Sequence, residues 1–483
     1  GGLTDWVEEE LIHRGEAKRE HPTNPAVGTY LNVAGLQLLL DEMVVKAKSV
    51  TPFLHTRLAA AECDRAGHVS AVIVADKAGL RRLRGKFFID ATGDADLCRY
   101  ANLGTWKLPK DEMQAHTVCA ILSGADGLRR KYPSFGFGEI TKPKYGAKLE
   151  HVFGWEAPVV GARGLTFLAY TRVSSCDPSL PEELTRAELE GRSQLRRIVD
   201  AVNRAFPMPE GERLSVVTVA PHVGLRESCH IEGLYRLTTE DLLYGRRFDD
   251  VIAKGSYRVD IHEGAGITFR YLNGREERQV VKSDGSSEWK VGRWRKETEN
   301  LPTWYEIPYR SIVPKGAENV LAPGRALDCA RDAYGASRVM VNCNQMGEAA
   351  GRAAANALTW SIAYTNEATK MFLREGTLAA SDDDFRGWTA VEKVSSGTVN
   401  AAEPKRTVLP SSPIRHSNVP DGPSQRTSTS ASSTPSRWTT TRRGGTRRRR
   451  RPSGRPTARS RRIRGSSPGI RARTRTGSAG RRA

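Results

Sequence analysis

The sequence predicts an α/β fold whose first lobe is interrupted by an α+β region, completed by a later segment and followed by a disordered C-terminal tail. Residues 1–104 carry a helix-period segment and then three strand-like runs, whereas aromatic and glycine-rich strands mark the middle of the chain. A short apolar strand and a small-residue helix return near residue 320, and apolar periodicity ends at about Ser396.

Leu36, Leu39, Leu40, Met43, Val44 and Ala47 share one face at helical spacing and predict a helix buried on that side. Pro52 to Glu62, Val69 to Val74 and Arg81 to Asp90 follow as strands, separated by turns at Asp64–Gly67 and Asp76–Gly79. The last strand, ending Phe87-Phe88-Ile89-Asp90, runs into Ala91-Thr92-Gly93-Asp94-Ala95-Asp96, where Gly93 permits a tight turn and Leu97 and Cys98 open a helix. Phe153-Gly154-Trp155 and Leu165 to Val173 predict strands, and Leu195, Ile198, Val199, Val202 and Phe206 predict a helix. Gly136-Phe137-Gly138 reads as a loop. Beyond the Asn319–Ala322 strand comes the turn Pro323-Gly324-Arg325, then a helix over Asn342 to Leu358 rich in Gly and Ala.

The net charge of +20 is concentrated at one end. Nineteen arginines, with no Lys, Asp or Glu, follow Asp421, so the first 421 residues carry only +1. Such an arm binds phosphate backbones without sequence preference. Its lack of lysine, beside abundant Ser, Thr, Pro and Gly, also fits GC-rich DNA translated in the wrong frame, and both readings stand at this stage. Trp438, Ile463 and Ile470 are too few large apolar residues to offset an ordering entropy of about 1–2 kcal/mol per residue. Seven scattered cysteines argue against a disulfide framework or zinc ribbon and for a reducing cytoplasm. No apolar run approaches the length needed to span a bilayer. No metal site, membrane span or specific nucleic-acid partner is expected.

Three motif groups together carry a family resemblance. They are Phe87–Asp96; Asn319–Arg325 with Ser337-Arg338-Val339-Met340 and Gln345–Gly351; and Val223–Ser228 with Leu237–Asp241, Gly245–Asp250 and Val259–His262. In order and spacing they resemble FAD-dependent oxidoreductases, similar in architecture to the succinate dehydrogenase and fumarate reductase flavoprotein group. The resemblance covers most of residues 1–365. It implies an incomplete Rossmann-like FAD-binding domain over 1–104 and 302–365, a substrate domain over 105–301, a helical extension over 366–395 and the tail over 396–483.

The resemblance places Thr92, Gly93, Asp94, Gly324, Arg325, Asp328, Gln345, Gly347, Ala350 and Gly351 around FAD. A helix beginning near Gln345–Gly347 would turn its positive N-terminus toward the anionic N1 of reduced flavin, with Gly347, Ala350 and Gly351 admitting the ring. Asp328 and Cys329 depart from the small hydroxyl residues expected after the Gly-Arg turn, and Cys229-His230 replaces a basic pair. The family's N-terminal βαβ unit, with its G-x-G-x-x-G turn, has no counterpart in the sequence. That unit is expected to be missing from the N-terminal side.

Flavin chemistry asks the protein to orient a small organic substrate over N5 and to handle a proton. Arg226 is the first candidate, as an oxyanion-orienting donor or as an ion-pair partner of Glu227 or Asp241. His222 and His262 are candidates for acid–base work near neutral pH. Arg338 either faces the flavin or braces its helix. The adjacent Cys229 and His230 lack a third orienting group for a thiol nucleophile. The expected activity is hydride transfer to or from flavin N5, with the electron partner unassigned. The alternatives are a catalytically inactive fragment and a protein that binds nucleic acid through its tail.

Overall fold

The computed structural model describes residues 2–20, 28–149, 151, 153–263, 266–282, 286–297 and 301–360. The expected helical extension and the Arg-rich tail lie outside the described residues.

The N-terminal helices Leu3–His13 and Val33–Lys46 meet around Leu11, Ala17 and Leu39, with Arg14 ion-paired to Glu10 and Glu42. Asn32 starts the second helix by accepting a 3.1 Å hydrogen bond from the Ala34 amide. Its expected apolar face is only partly covered, since Leu39 is buried whereas Leu40 and Val44 are exposed. Periodicity determines which residues share a face, but an external partner is needed to cover it.

Strands Arg57–Arg65, His68–Asp76 and Gly79–Arg84 form the antiparallel meander. The first begins at Arg57 rather than Pro52, consistent with the lack of an amide donor on proline. The single strand expected over Arg81–Asp90 divides in two. Residues 79–84 close the meander, whereas Phe88–Ile89 pair in parallel with Val320–Leu321. Asn319 ties the two sheets together: its buried side chain accepts from the Val69 amide at 2.9 Å and donates to the carbonyls of Val69 and Lys86 at 2.8 and 3.0 Å.

In the middle region, antiparallel strands run in the order Ser215–Val219, Ala120–Ser123, Leu165–Ala169, Trp155–Pro158. Helix Pro181–Ala205 packs on them through Leu195, Ile198, Val199 and Val202, joined by Leu122, Leu168, Phe137 and Phe206. Gly136-Phe137-Gly138 is not a loop, because it opens a short helix, Phe137–Ile140, whose Phe137 and Ile140 enter this core.

A second four-stranded antiparallel sheet, Val259–Glu263, Gly266–Arg270, Arg275–Val281 and Ser287–Arg293, packs its first strand against helix Arg331–Ser337. Val259 and Ile261 share a core with Phe87, Leu321, Tyr305, Tyr334, Met346, Ala350 and Ala354. One apolar cluster therefore joins segments far apart in the chain.

The small-residue helix runs Met340–Trp360 and starts earlier than expected. Asn342 binds the end of the preceding helix, donating to Ala336 O at 3.1 Å and to the Tyr305 hydroxyl at 2.9 Å. Gln345 and Gly347 consequently lie inside the helix, and the expected N-terminal dipole site at these residues is not formed.

Candidate functional site

The Phe88–Ile89 and Val320–Leu321 strands are adjacent and parallel, so their carboxyl ends deliver two turns to one place. Ligand sites of open α/β sheets lie at such carboxyl ends. Asp90 organises the first turn: its buried carboxylate accepts from the Thr92 hydroxyl at 2.7 Å and from the Cys98 amide at 3.1 Å. Thr92 Oγ1 in turn accepts from the Asp96 amide at 3.2 Å. Gly93 (φ 77°) and Ala95 (φ 55°) both adopt left-handed backbone.

The second turn places Gly324 (φ 85°) and Arg325 opposite the first. Arg325 Nη2 lies 3.7 Å from Asp94 Oδ1, and a Cβ on Gly93 would come within 2.4 Å of that nitrogen. A side chain at this position would push the guanidinium aside, and the positive φ favours glycine independently. The Nε of Arg325 is buried and without a partner.

Other cofactor candidates are occupied differently. Asp328 accepts from Trp106 Nε1 at 3.0 Å, Arg236 Nε at 2.7 Å and the Gly233 amide at 2.8 Å, which makes it a structural hub. Gln345 bonds the Lys254 amide and carbonyl, each at 3.0 Å. Ala350 faces the core, whereas Gly347 and Gly351 face open space, so the three do not present one surface.

These turns fit part of an FAD site, as the close approach at Gly93 and the unpartnered Arg325 Nε show. A glycine-rich strand–turn–helix to hold the pyrophosphate is not found among the described residues. FAD, when bound, would supply the redox chemistry.

The Ser228 hydroxyl donates to Asp94 Oδ1 at 2.5 Å, which ties this junction to the segment bearing Arg226. Arg226 pairs with neither Glu227 nor Asp241. Its Nη1 donates to the Ala115 carbonyl and, at 2.6 Å, to the Thr117 hydroxyl oxygen. Arg172 Nη1 reaches the same oxygen at 2.9 Å. Glu227 instead accepts from the Gln114 amide at 2.9 Å and faces His230 at 3.3 Å. Asp241 closes a capping box with Thr238.

Arg338 braces its surroundings through Asp260, donating from Nη2 to the backbone carbonyl at 3.3 Å, with Oδ2 at 3.9 Å. His262 is buried, with Nε2 3.3 Å from Asp260 Oδ1 and its amide donating to Gln114 Oε1 at 3.0 Å. His222 lies elsewhere, with its side chain 78 % exposed and 3.9 Å from Glu188. The structure therefore brings Arg226, Arg338 and His262 into one cluster and leaves His222 outside it.

Burial dominates the electrostatics. It pushes His262 down to about 3, His151 to about 3 and His116 to about 4, so all three imidazoles are neutral at pH 7. Acid–base work by His262 near neutral pH, expected from its residue type, is opposed by this burial. Burial lowers Arg172 to about 10, and burial with the adjacent Arg172 and Arg338 lowers Arg226 well below its usual value. Asp260 resists its own burial because His262, Arg338 and Arg226 hold its carboxyl well below the usual range. Burial raises the Cys229 thiol, against a role as nucleophile.

Arg172, Asp260, His151 and Gln114 escaped the sequence shortlist. The available signal was an arginine, the only charged residue within the run Leu165–Val173.

Residues 1–366 match the model of the FAD dependent oxidoreductase family, and the chain belongs to that family. Among solved structures, it is similar to aklavinone-11 hydroxylase in a ternary complex with FAD and aklavinone, at 15% identity and a TM-score of 0.29. That match covers 74% of this chain and 45% of the hydroxylase. BexE, which acts in oxidation during BE-7585A biosynthesis, is similar at 12% identity and a TM-score of 0.27, over 76% of this chain and 61% of BexE. The chain thus spans less than two thirds of either structure. No curated protein matches it. Among the described residues, no helix is long and apolar enough to cross a membrane.

Proposed function

We propose that the chain acts as a FAD-dependent oxidoreductase on a small organic substrate, by hydride transfer to or from flavin N5. The observation that carries this reading is the parallel pairing of Phe88–Ile89 with Val320–Leu321, which juxtaposes the Thr92-Gly93-Asp94 and Pro323-Gly324-Arg325 turns. These turns hold the cofactor, with Arg325 supplying positive charge over Gly93. Arg226 orients an oxygen of the substrate.

Titration of the full chain with FAD tests the reading. The expected result is a yellow protein whose flavin fluorescence is quenched and whose visible absorption bleaches on reduction. A colourless protein that takes up no FAD would overturn it. The missing G-x-G-x-x-G turn favours a second reading, a chain unable to hold FAD alone, and the same titration decides between them.

A further inference from the structure

Three guanidinium groups gather in the middle of the molecule, that of Arg172 buried and those of Arg226 and Arg338 partly buried, while the buried Glu227 is turned to the Gln114 amide and His230. The guanidinium groups of Arg172, Arg226 and Arg338 gather around Thr117 and Asp260, and Asp260 is the carboxylate that faces them. His116, His151 and His262 contribute no negative charge. An unpaired cation held out of water costs several kcal/mol, and an anion joining Arg172 would offset that cost.

Arg172 is the informative member. It is 4% exposed, and its Nη1 is used fully within the protein, donating to Thr117 Oγ1 and to the carbonyls of Thr171 and Ala169. Its Nε and Nη2 are buried and have no hydrogen-bond partner. These two nitrogens form one edge of the guanidinium, with parallel N–H bonds at the spacing of carboxylate oxygens. Nearby, Arg338 Nε and Gln114 Nε2 are likewise buried without partners. One unused two-pronged edge, flanked by further unused polar atoms and surplus positive charge, has the chemistry of a carboxylate receptor.

We propose that Arg172, with Arg226 and Arg338, forms a buried receptor for one carboxylate group, so that the substrate is an organic acid. This substrate assignment rests on the flavin-enzyme reading, whereas the receptor itself does not. The Phe153 ring centroid lies 5.9 Å from the Arg172 guanidinium carbon. A cavity of about 460 Å³ that Arg172 borders is otherwise lined by Lys148, Arg186, Arg197 and Glu190, which gives this side of Arg172 a mainly cationic surface. A planar carboxylate satisfies both prongs at once, whereas a compact ammonium in place of the guanidinium preserves charge but loses the fork.

Calorimetric titration of the full chain with benzoate, acetate and inorganic phosphate tests the proposal. Benzoate and acetate should bind the wild-type chain, and phosphate should not displace them. Arg172→Lys should weaken benzoate binding about tenfold, the worth of one charge-assisted hydrogen bond. Arg338→Gln should also weaken it, and this variant carries the comparison if Arg172→Lys does not fold by circular dichroism. In the absence of any anion, Arg338→Gln should be no less stable than wild type, because it relieves like-charge repulsion. A purely structural arginine would instead be missed. Failure of both carboxylates to bind, unchanged binding in the folded variants, or preference for phosphate would overturn the assignment. Benzoate binding by a chain that takes up no FAD would refute the flavin reading and leave the receptor standing.

Discussion

The junction at Gly93 and Arg325 and the cluster at Arg172 both contain buried charge, but they use it differently. At the junction, Asp90 and the nearby Asp328 have their oxygens filled by protein donors, which fixes the course of the backbone. In the cluster, Arg172, Arg338 and Gln114 retain buried atoms with no partner, where the junction retains one, Arg325 Nε. Saturated polar groups specify architecture. Unsatisfied ones are costly to the fold, and the proposed carboxylate receptor accounts for those around Arg172.

The largest expected break in this comparison comes from acid. His116, His151 and His262 are held at about 4, 3 and 3, against an ordinary value of 6.5. Below pH 6.5 the unfolded chain takes up protons that the folded chain refuses. Stability is therefore fully present above that pH and falls as pH drops toward 3. Asp260, held below its ordinary value of 3.8, adds a further loss beneath that pH. Urea midpoints measured across this window should fall steadily, and a flat profile would show that solvent reaches these imidazoles.

Asp328→Ala is the next largest. It strands the Gly233 amide, the Trp106 indole and Arg236, and should cost about 3–5 kcal/mol in chemical denaturation. A cost below about 1 kcal/mol would mean that this hub is not what orders the segment.

Gly93→Val is smaller in stability, about 1–2 kcal/mol for a left-handed residue with a side chain. It also pushes Arg325 aside, so FAD uptake should weaken by more than the fold does. Equal losses in both would separate Arg325 from the cofactor. His222→Ala should shift stability by less than about 0.5 kcal/mol, because its side chain is solvent-exposed. A lost turnover in that variant would return His222 to the site.

Much of the scaffold was legible in the residues. The helices Val33–Lys46 and Pro181–Ala205 follow their apolar spacing, and the Gly93 and Gly324 turns follow local conformational demand. Their causes lie within a few residues. The strand division after Arg84 was not legible, because Phe88 and Ile89 change partners to a segment more than two hundred residues away. The helix start at Met340 was equally hidden, since Asn342 acts on Ala336 and Tyr305 through contacts that periodicity does not encode.

Among the site residues, Arg226 and Arg338 stood out by type, but their roles depended on distant partners. Arg172 meets Thr117 across 55 positions, and Arg226 meets the same hydroxyl across 109. Sequence alone determined the turns, the helical faces and the family motifs, because dihedral preference and apolar spacing are local properties. Only the tertiary structure decided which charges were paired and which were left over, because burial and proximity belong to the folded chain as a whole.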